Sequence, residues 1–133
     1  MTPEINIPEV LAEVQAVFAR YEAALVGNDR ATLDELFWNS PHTLRYGFSE
    51  NHYGHADIAA FRASLPVQSP PRELLRTVIT TYGRDYAVAS TLFHRDVMQG
   101  KKVGRQMQTW VRFPDGWKVV AAHVSIIDAP GGA

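Results

Sequence analysis

Four long segments in the second half of the chain are rich in β-branched and aromatic residues, and they restrict the fold more than any other feature. In order they read RELLRTVITTYG, DYAVASTLFHRDV, KKVGRQMQTWVRF and GWKVVAAHVSII. The runs between them, Gly-Arg-Asp, Met-Gln-Gly-Lys and Pro-Asp-Gly, have the composition of turns. Connections this short join antiparallel strands, because a parallel pair needs a crossover of about a dozen residues or more. The pattern therefore predicts a sheet with three successive antiparallel hairpin connections.

The first half of the chain has the residue spacing of helices. From Pro8 to Val26 the apolar residues recur every three or four positions, which is typical of one buried helical stripe. A shorter helix is predicted over 29–38, with Asn28 or Asp29 as its cap, and a third over 56–65. Helices placed ahead of a run of long strands are typical of the α+β class.

We therefore expect one α+β domain over residues 1–133, in which three N-terminal helices pack on a strongly curved, mainly antiparallel sheet. Residues 1–7 and 127–133 are expected to form loose termini, because neither segment continues a helical or strand pattern.

Composition excludes several classes of function. The chain has 13 basic and 14 acidic residues, so its net charge of −1 gives no field that would recruit nucleic acid or anionic lipid. It has no cysteine, which excludes disulfides, thiolate catalysis and cysteine-based metal sites. The start, MTPEINIPEV, lacks the pattern of a signal peptide, and no run approaches the roughly 20 apolar residues of a membrane span. We expect a cytoplasmic protein.

The segment PHTLRYG places an arginine in the middle of a strand-like stretch. Side chains alternate along a strand, so Thr43 and Arg45 would share one face while Leu44 and Tyr46 share the other. An unpaired buried guanidinium costs several kcal/mol, so Arg45 needs an anion. Two sources stay open: an internal carboxylate, Glu50 or Glu22, or the carboxylate of a substrate held by two parallel hydrogen bonds.

The last hairpin assigns further side chains to faces. If Asp115-Gly116 is a two-residue turn, Gln108 lies opposite His123, and both share a face with Trp110. The opposite face of the hairpin is then a plain hydrophobic surface. We expect the helices to cover one face of the sheet and a second subunit to cover the other.

Several motifs resemble the AtzH-like family. They are YEAALVGND, LRYG followed by ENHYG, RTVITTYGRDYA, GRQMQTWVR and GWKVVAAHVS. That family belongs to the nuclear-transport-factor-2-like superfamily, near the SnoaL-like proteins, and the resemblance covers about Pro8 to Ile126. It implies a cone-shaped fold with one pocket, a homodimer packed through the sheet, and hydrolysis with decarboxylation of a small carboxylated urea such as 1,3-dicarboxyurea in cyanuric acid breakdown.

The resemblance also implies site residues. A tyrosine of the first helix and an arginine of the first strand are the family's proposed active groups, and the matching positions here are Tyr21 and Arg45. The HVS match places His123 in the pocket lining, as a third catalytic candidate. Taken alone, Tyr21 could equally be a core tyrosine and His123 a satisfied core histidine.

Four more residues are candidates for contact with the substrate. Gln108 could read a carbonyl or carboxylate group, and Trp110 could form part of the wall. Tyr53 and Trp38 are further candidates. No metal site is predicted, because His52 and His55 lie in a turn-like stretch without carboxylates at ligand spacing. The arginines from Arg72 to Arg112 are expected at a solvated sheet edge.

Two hypotheses for function follow. The first is a small hydrolase without cofactor, in which Arg45 holds a carboxylate, Tyr21 and His123 transfer or share a proton, and Gln108 polarises a carbonyl. The alternative is a non-catalytic protein whose pocket binds a small carboxylate or which serves as the partner of an amidase. An arginine-lined pocket fits both.

Overall fold

The computed structural model describes residues 2–66 and 70–130. Within them three α-helices pack on one six-stranded sheet, which confirms the α+β prediction. The helices are α1 (Pro8–Val26), α2 (Arg30–Leu36) and α3 (His55–Ser64). The strands are β1 (Leu44–Tyr46), β2 (Asn51–Tyr53), β3 (Glu73–Tyr82), β4 (Tyr86–His94), β5 (Lys102–Phe113) and β6 (Gly116–Asp128).

The first helix follows its apolar stripe closely. Val10, Val14, Phe18 and Tyr21 are buried, as the three-and-four spacing predicts. The helix ends at Gly27, whose backbone N–H donates to carbonyls of the last turn. Among the described helices, none combines the length and the apolar character needed to cross a bilayer.

The second helix is capped by Asp29, which settles the choice left open with Asn28. The Asp29 carboxylate accepts a hydrogen bond from the Thr32 backbone N–H at 3.1 Å and another from the Thr32 hydroxyl at 2.7 Å. These bonds satisfy a donor that the first turn of a helix otherwise leaves free.

The strands follow one another in the sheet as β2-β1-β6-β5-β4-β3. All neighbours are antiparallel except β1 and β6, which run parallel. The sequence did not indicate β2, because three residues are too short for a clear alternation. The pairing of β2 with β1 nevertheless places His52 directly opposite Arg45.

The predicted register of the last hairpin is wrong in two respects. Phe113 pairs with Gly116, so the turn residues are Pro114 and Asp115, and this shift of two leaves each side chain on its expected face. A β-bulge then follows, because Trp110 pairs with Val119 while Thr109 pairs with Ala121. One extra residue moves every later side chain of β6 to the opposite face.

The helices cover the inner face of the sheet, where the core lies. Val14, Ala89, Trp110 and Val119 are fully buried there. The outer face carries large apolar side chains that are exposed in the single chain, namely Leu44, Tyr46, Tyr53, Val78 and Met107. A single copy of the chain therefore covers only one face.

Both chain ends are more ordered than expected. The Asn6 backbone N–H donates to the Thr81 carbonyl at 3.1 Å, and the Asn6 side chain accepts from the Thr81 N–H at 2.8 Å. Strand β6 extends to Asp128, beyond the predicted boundary at residue 127. Residues 1 and 131–133 of the predicted loose termini lie outside the described residues.

Candidate functional site

One cavity of about 420 Å³ opens between α1, α3 and the β1 side of the sheet. Its walls include the apolar residues Leu25, Leu33, Ile58, Phe61, Leu65, Pro66 and Pro70. Its polar residues are Tyr21, Asn28 and three arginines, Arg45, Arg62 and Arg95, and none of its lining residues among the described part of the chain is acidic. The cavity therefore combines apolar walls with positive charge, which suits a small anion.

Helix α1 brings Tyr21 to this cavity. The residue is 7% exposed, and its ring packs edge-on against Trp110 with 6.3 Å between ring centroids. Phe37 lies at the same centroid distance on another side. None of the side-chain hydrogen bonds between described residues involves the Tyr21 hydroxyl, and the residue lines the cavity. The ring is thus fixed by packing while its hydroxyl is available to a ligand.

Strand β1 brings Arg45 to the same cavity, as the alternation predicts. Thr43 is fully buried on the same face, and Leu44 is exposed on the other. Arg45 Nη1 donates to Glu50 Oε1 at 3.2 Å and lies 3.4 Å from His52 Nδ1. The described residues engage Arg45 through this one nitrogen. The ion pair with Glu50 therefore leaves the other guanidinium nitrogens of Arg45 for a ligand. Arg45 can thus contact both Glu50 and a substrate carboxylate, the two anions considered from the sequence.

The loop between β1 and β2 keeps Glu50 ionised. The Ser49 hydroxyl donates to Glu50 Oε2, and this bond together with the Arg45 guanidinium lowers the pKa of Glu50 from its ordinary value of 4.5. A side chain at Gly47 would overlap the Glu50 carboxylate. Glu50 therefore orients Arg45 and is poorly suited to act as a general base.

The cavity includes two arginines that sequence reasoning missed. Arg62 forms an ion pair with Asp34 and lies over the Phe37 ring, with 4.9 Å from its Cζ to the centroid. Arg95 follows β4 and lines the cavity, and no carboxylate among the described residues forms an ion pair with it. Simple periodicity could have found both. Arg62 is one helical turn after buried Ile58, and Arg95 is two residues after buried Phe93.

The prediction that Arg72 lies at a solvated sheet edge is wrong. Its side chain is 2% exposed, and its Nε and Nη2 donate to the two carboxylate oxygens of Glu22 at 2.9 and 2.6 Å. Nη2 also donates to Gln106 Oε1 at 3.0 Å. Glu22 is therefore paired with Arg72 and does not pair with Arg45. Of the two internal carboxylates that the sequence offered for Arg45, Glu50 is the one it contacts.

Gln108 and Trp110 lie behind Tyr21 rather than in the cavity wall. Both are almost fully buried, and Trp110 Nε1 donates to Gln108 Oε1 at 3.1 Å. That bond fixes the orientation of the amide, because an indole N–H needs an acceptor. Gln108 Nε2 is then a buried donor without a partner, as is Gln106 Nε2. The inner face thus holds two unused amide donors close to the site.

His123 is not part of this site. The prediction placed it opposite Gln108 on the inner face, but it pairs with Met107 and is exposed on the outer face. The physical reason is the bulge at Val120, which reverses the facing of all later residues of β6. Ala122, and not His123, lies between Arg45 and Gln108 across the sheet.

Tyr53 and Trp38 also lie away from the cavity. Tyr53 is 60% exposed on the outer face, where its hydroxyl lies 3.2 Å from the Tyr46 hydroxyl. This hydrogen bond raises the pKa of Tyr53 above its ordinary value of 10.0, so the phenol stays neutral. Trp38 stacks on Phe113 with 4.8 Å between ring centroids, beside a separate depression. Neither residue is placed to contact a ligand held by Tyr21 and Arg45.

Among residues 2–66 and 70–130, no three histidine or carboxylate side chains are grouped so that they could hold a metal ion. His52, discarded as a metal ligand in the sequence, instead contacts Arg45 and packs on Phe61 at 4.4 Å between ring centroids. Its Nδ1 lies 3.4 Å from Arg45 Nη1, and the residue lies on β2, the strand next to β1. His52 on β2 therefore helps to position the neighbouring Arg45 on β1.

The architecture is that of the nuclear transport factor 2-like, or cystatin-like, class. A superfamily member from Salmonella enterica is 26% identical, with a TM-score of 0.72 over 92% of this chain and 94% of that one. A cystatin-like fold protein from Burkholderia xenovorans is 49% identical, with a TM-score of 0.91 over 96% and 99% of the two chains.

The family is more specific than the fold. A family model described as AtzH-like matches residues 3–130, and the chain belongs to that family. A protein of unknown function from Pectobacterium atrosepticum is 57% identical, with a TM-score of 0.88 over 92% of this chain and 94% of that one. No curated protein sequence matches the chain significantly. The resemblance first noted in short motifs thus extends over nearly the whole sequence.

Proposed function

We propose that the protein is a small hydrolase, active without a cofactor, that acts on a carboxylated urea or amide such as 1,3-dicarboxyurea, in the breakdown of compounds like cyanuric acid. The observation that carries this proposal is that Tyr21 and Arg45 line one cavity with two further arginines and no acidic residue among the described lining. Such a cavity favours an anion with a short apolar or planar body. The AtzH-like membership supports the same reading.

The proposed chemistry uses few groups. Arg45 holds a carboxylate of the substrate through the guanidinium nitrogens that Glu50 and His52 leave free. When the bond between a terminal nitrogen and its carboxylate carbon breaks, the electron pair stays on nitrogen and carbon dioxide leaves. The nitrogen then takes up a proton, which the Tyr21 hydroxyl can donate and later recover from water. The hydroxide that remains adds to the released carbon dioxide to give bicarbonate, so the net reaction is the hydrolysis of one nitrogen–carbon bond. The Arg45 guanidinium, which holds the departing carboxylate, supplies positive charge at this step.

Turnover of 1,3-dicarboxyurea by the purified protein, measured against the uncatalysed rate, tests the proposal. Tyr21→Phe and Arg45→Ala are each expected to lower the rate by about 100-fold or more, the usual range for a proton-transferring or charge-stabilising group. His123→Ala serves as the control and should leave the rate within about twofold, since its side chain is on the outer face. Unchanged rates in the first two variants would refute the assignment.

A second function is favoured by one observation. Apart from Tyr21, the described lining residues include no imidazole or carboxylate that could act as a base. A pocket that binds a carboxylate without transforming it, or that serves an amidase as its partner, has the same arginines. Strong thermal stabilisation by malonate-like acids with no turnover would select this alternative.

A further inference from the structure

The cavity arginines differ in how their charge is compensated. Arg45 has Glu50 as an ion-pair partner at 3.2 Å, and Arg62 has Asp34. Arg95 lines the same cavity, yet no carboxylate among the described residues forms an ion pair with it. The residues outside the description, 1, 67–69 and 131–133, carry no acidic side chain. Arg95 is thus a cation of the cavity without an acidic side chain to match it.

The surroundings of Arg95 make the absence of an acidic partner energetically costly. Its Nε is buried and has no hydrogen-bond partner within residues 2–66 and 70–130. Its guanidinium lies over the Phe93 ring, with 5.1 Å from Cζ to the centroid, and Arg72 lies over the same ring at 4.7 Å. Burial, and next the neighbouring charge of Arg72, lower the pKa of Arg95 below its ordinary value. A buried guanidinium donor without an acceptor is the state that an anionic ligand relieves.

The nearest internal candidate is already used. Glu22 attracts Arg95 at a distance, but both of its carboxylate oxygens accept hydrogen bonds from Arg72. Glu22 and Arg72 therefore form a closed, structural pair beside the cavity. Arg72 of this pair lies over the Phe93 ring, and Arg95 lies over the same ring.

We propose that Arg95 binds a second anionic group of the ligand, so that the cavity selects dianions over monoanions of the same shape. This inference rests on the proposed function, in which Arg45 holds the first carboxylate. The two arginines come from different elements: Arg45 is on β1 and Arg95 follows β4, and β6 and β5 lie between those strands. A short ligand with a carboxylate at each end engages both arginines, whereas a monoanion engages one.

Two ligands of equal length test the inference. Glutarate has five carbons in line, as 1,3-dicarboxyurea has five backbone atoms, and it cannot be hydrolysed. Its monoamide has the same shape and one carboxylate fewer. Isothermal titration calorimetry should show that the wild-type protein binds glutarate at least about tenfold more tightly than the monoamide, because a bidentate guanidinium–carboxylate contact is among the stronger polar interactions.

The variants separate Arg95 from the rest of the site. Arg95→Gln should weaken glutarate binding at least about tenfold and leave monoamide binding within about twofold, which removes the discrimination. Arg62→Gln is the matched control from the same cavity, and it should not change the ratio of the two affinities, because Arg62 is already paired with Asp34. If Arg95→Gln does not fold, Arg95→Lys keeps the charge and should weaken glutarate more than the monoamide through loss of the fork geometry.

The outcomes are distinguishable. If Arg95→Gln weakens both ligands equally, or neither, Arg95 does not read a second anion while the proposed carboxylate pocket survives. If the wild-type protein binds neither ligand, the proposed function fails, and the inference that rests on it fails too. A wild-type protein that binds both ligands with equal affinity overturns the inference alone.

Discussion

The two faces of the sheet reverse the usual distribution of polar and apolar residues around the site. A sheet with one covered face normally buries apolar side chains and exposes polar ones. Here one row across the inner face contains His52, Arg45 and Gln108, all partly or fully buried. The adjacent outer row contains Tyr46 and Met107, both exposed, with the exposed His123 between them.

This reversal shows that the two faces serve different purposes. Buried polar groups are costly, and on the inner face Arg45 lines the cavity on which the proposed function depends. Exposed apolar groups like those on the outer face are typical of surfaces that a partner covers. The expectation of a homodimer packed through the sheet stays a prediction, and the outer face is where it is tested.

The largest expected difference between the faces is in stability. Trp110→Ala on the inner face removes a fully buried side chain and should lower the free energy of unfolding by about 3–5 kcal/mol. Met107→Ala, at an exposed position of the outer face on the same strand, should change it by about 0.5 kcal/mol or less in the monomer. Urea denaturation at low protein concentration measures both. Equal losses would contradict the assignment of the core to one face.

The next effect concerns charge on the inner face. Glu22→Gln leaves Arg72, with its side chain 2% exposed, without its counter-ion and should destabilise the protein by about 3 kcal/mol. The matched control is Glu9→Gln, whose pair with Arg84 is exposed on both sides and contributes about 1 kcal/mol at most. If both variants had the same stability, the Glu22–Arg72 pair would not be the structural pair described beside the cavity.

Substitutions on the outer face are expected to change the stability of the monomer little and its association strongly. If a second copy covers this face, Met107→Glu places like charges in the interface and should weaken association by about 100-fold, without loss of fold. Val97→Glu introduces the same charge at a position that is 80% exposed and outside the sheet. Sedimentation velocity compares the two variants. A wild-type monomer, or equal dissociation of both variants, would argue against the dimer.

The smallest effect concerns the rim of the inner face, through pH. The pKa of Glu50 is lower in the folded protein than its ordinary value of 4.5, because the Ser49 hydroxyl and then Arg45 stabilise the carboxylate. Its stabilising contribution is therefore complete above that ordinary pKa and is lost as pH falls through the folded-state pKa. The stability difference between wild type and Glu50→Gln should shrink in acid. A difference that is constant from neutral pH to pH 3 would contradict the ion pair.

The sequence by itself determined what depends on local periodicity. The helical stripe fixed Tyr21 on the buried side of α1, and strand alternation turned Arg45 inward with Thr43, because both patterns repeat within a few residues. The same local rules contain the information for Arg62 and Arg95, although those residues were not recognised. The α+β class and the family followed from segments long enough to carry a pattern.

The tertiary structure alone decided what depends on contacts between distant segments. The bulge at Val120 moved His123 to the outer face, and no local preference announces a single inserted residue. The choice of Glu22 for Arg72, 50 residues away, and of Glu50 for Arg45 likewise required the folded chain. A carboxylate pairs with the guanidinium that folding brings to it, and sequence spacing does not encode that distance.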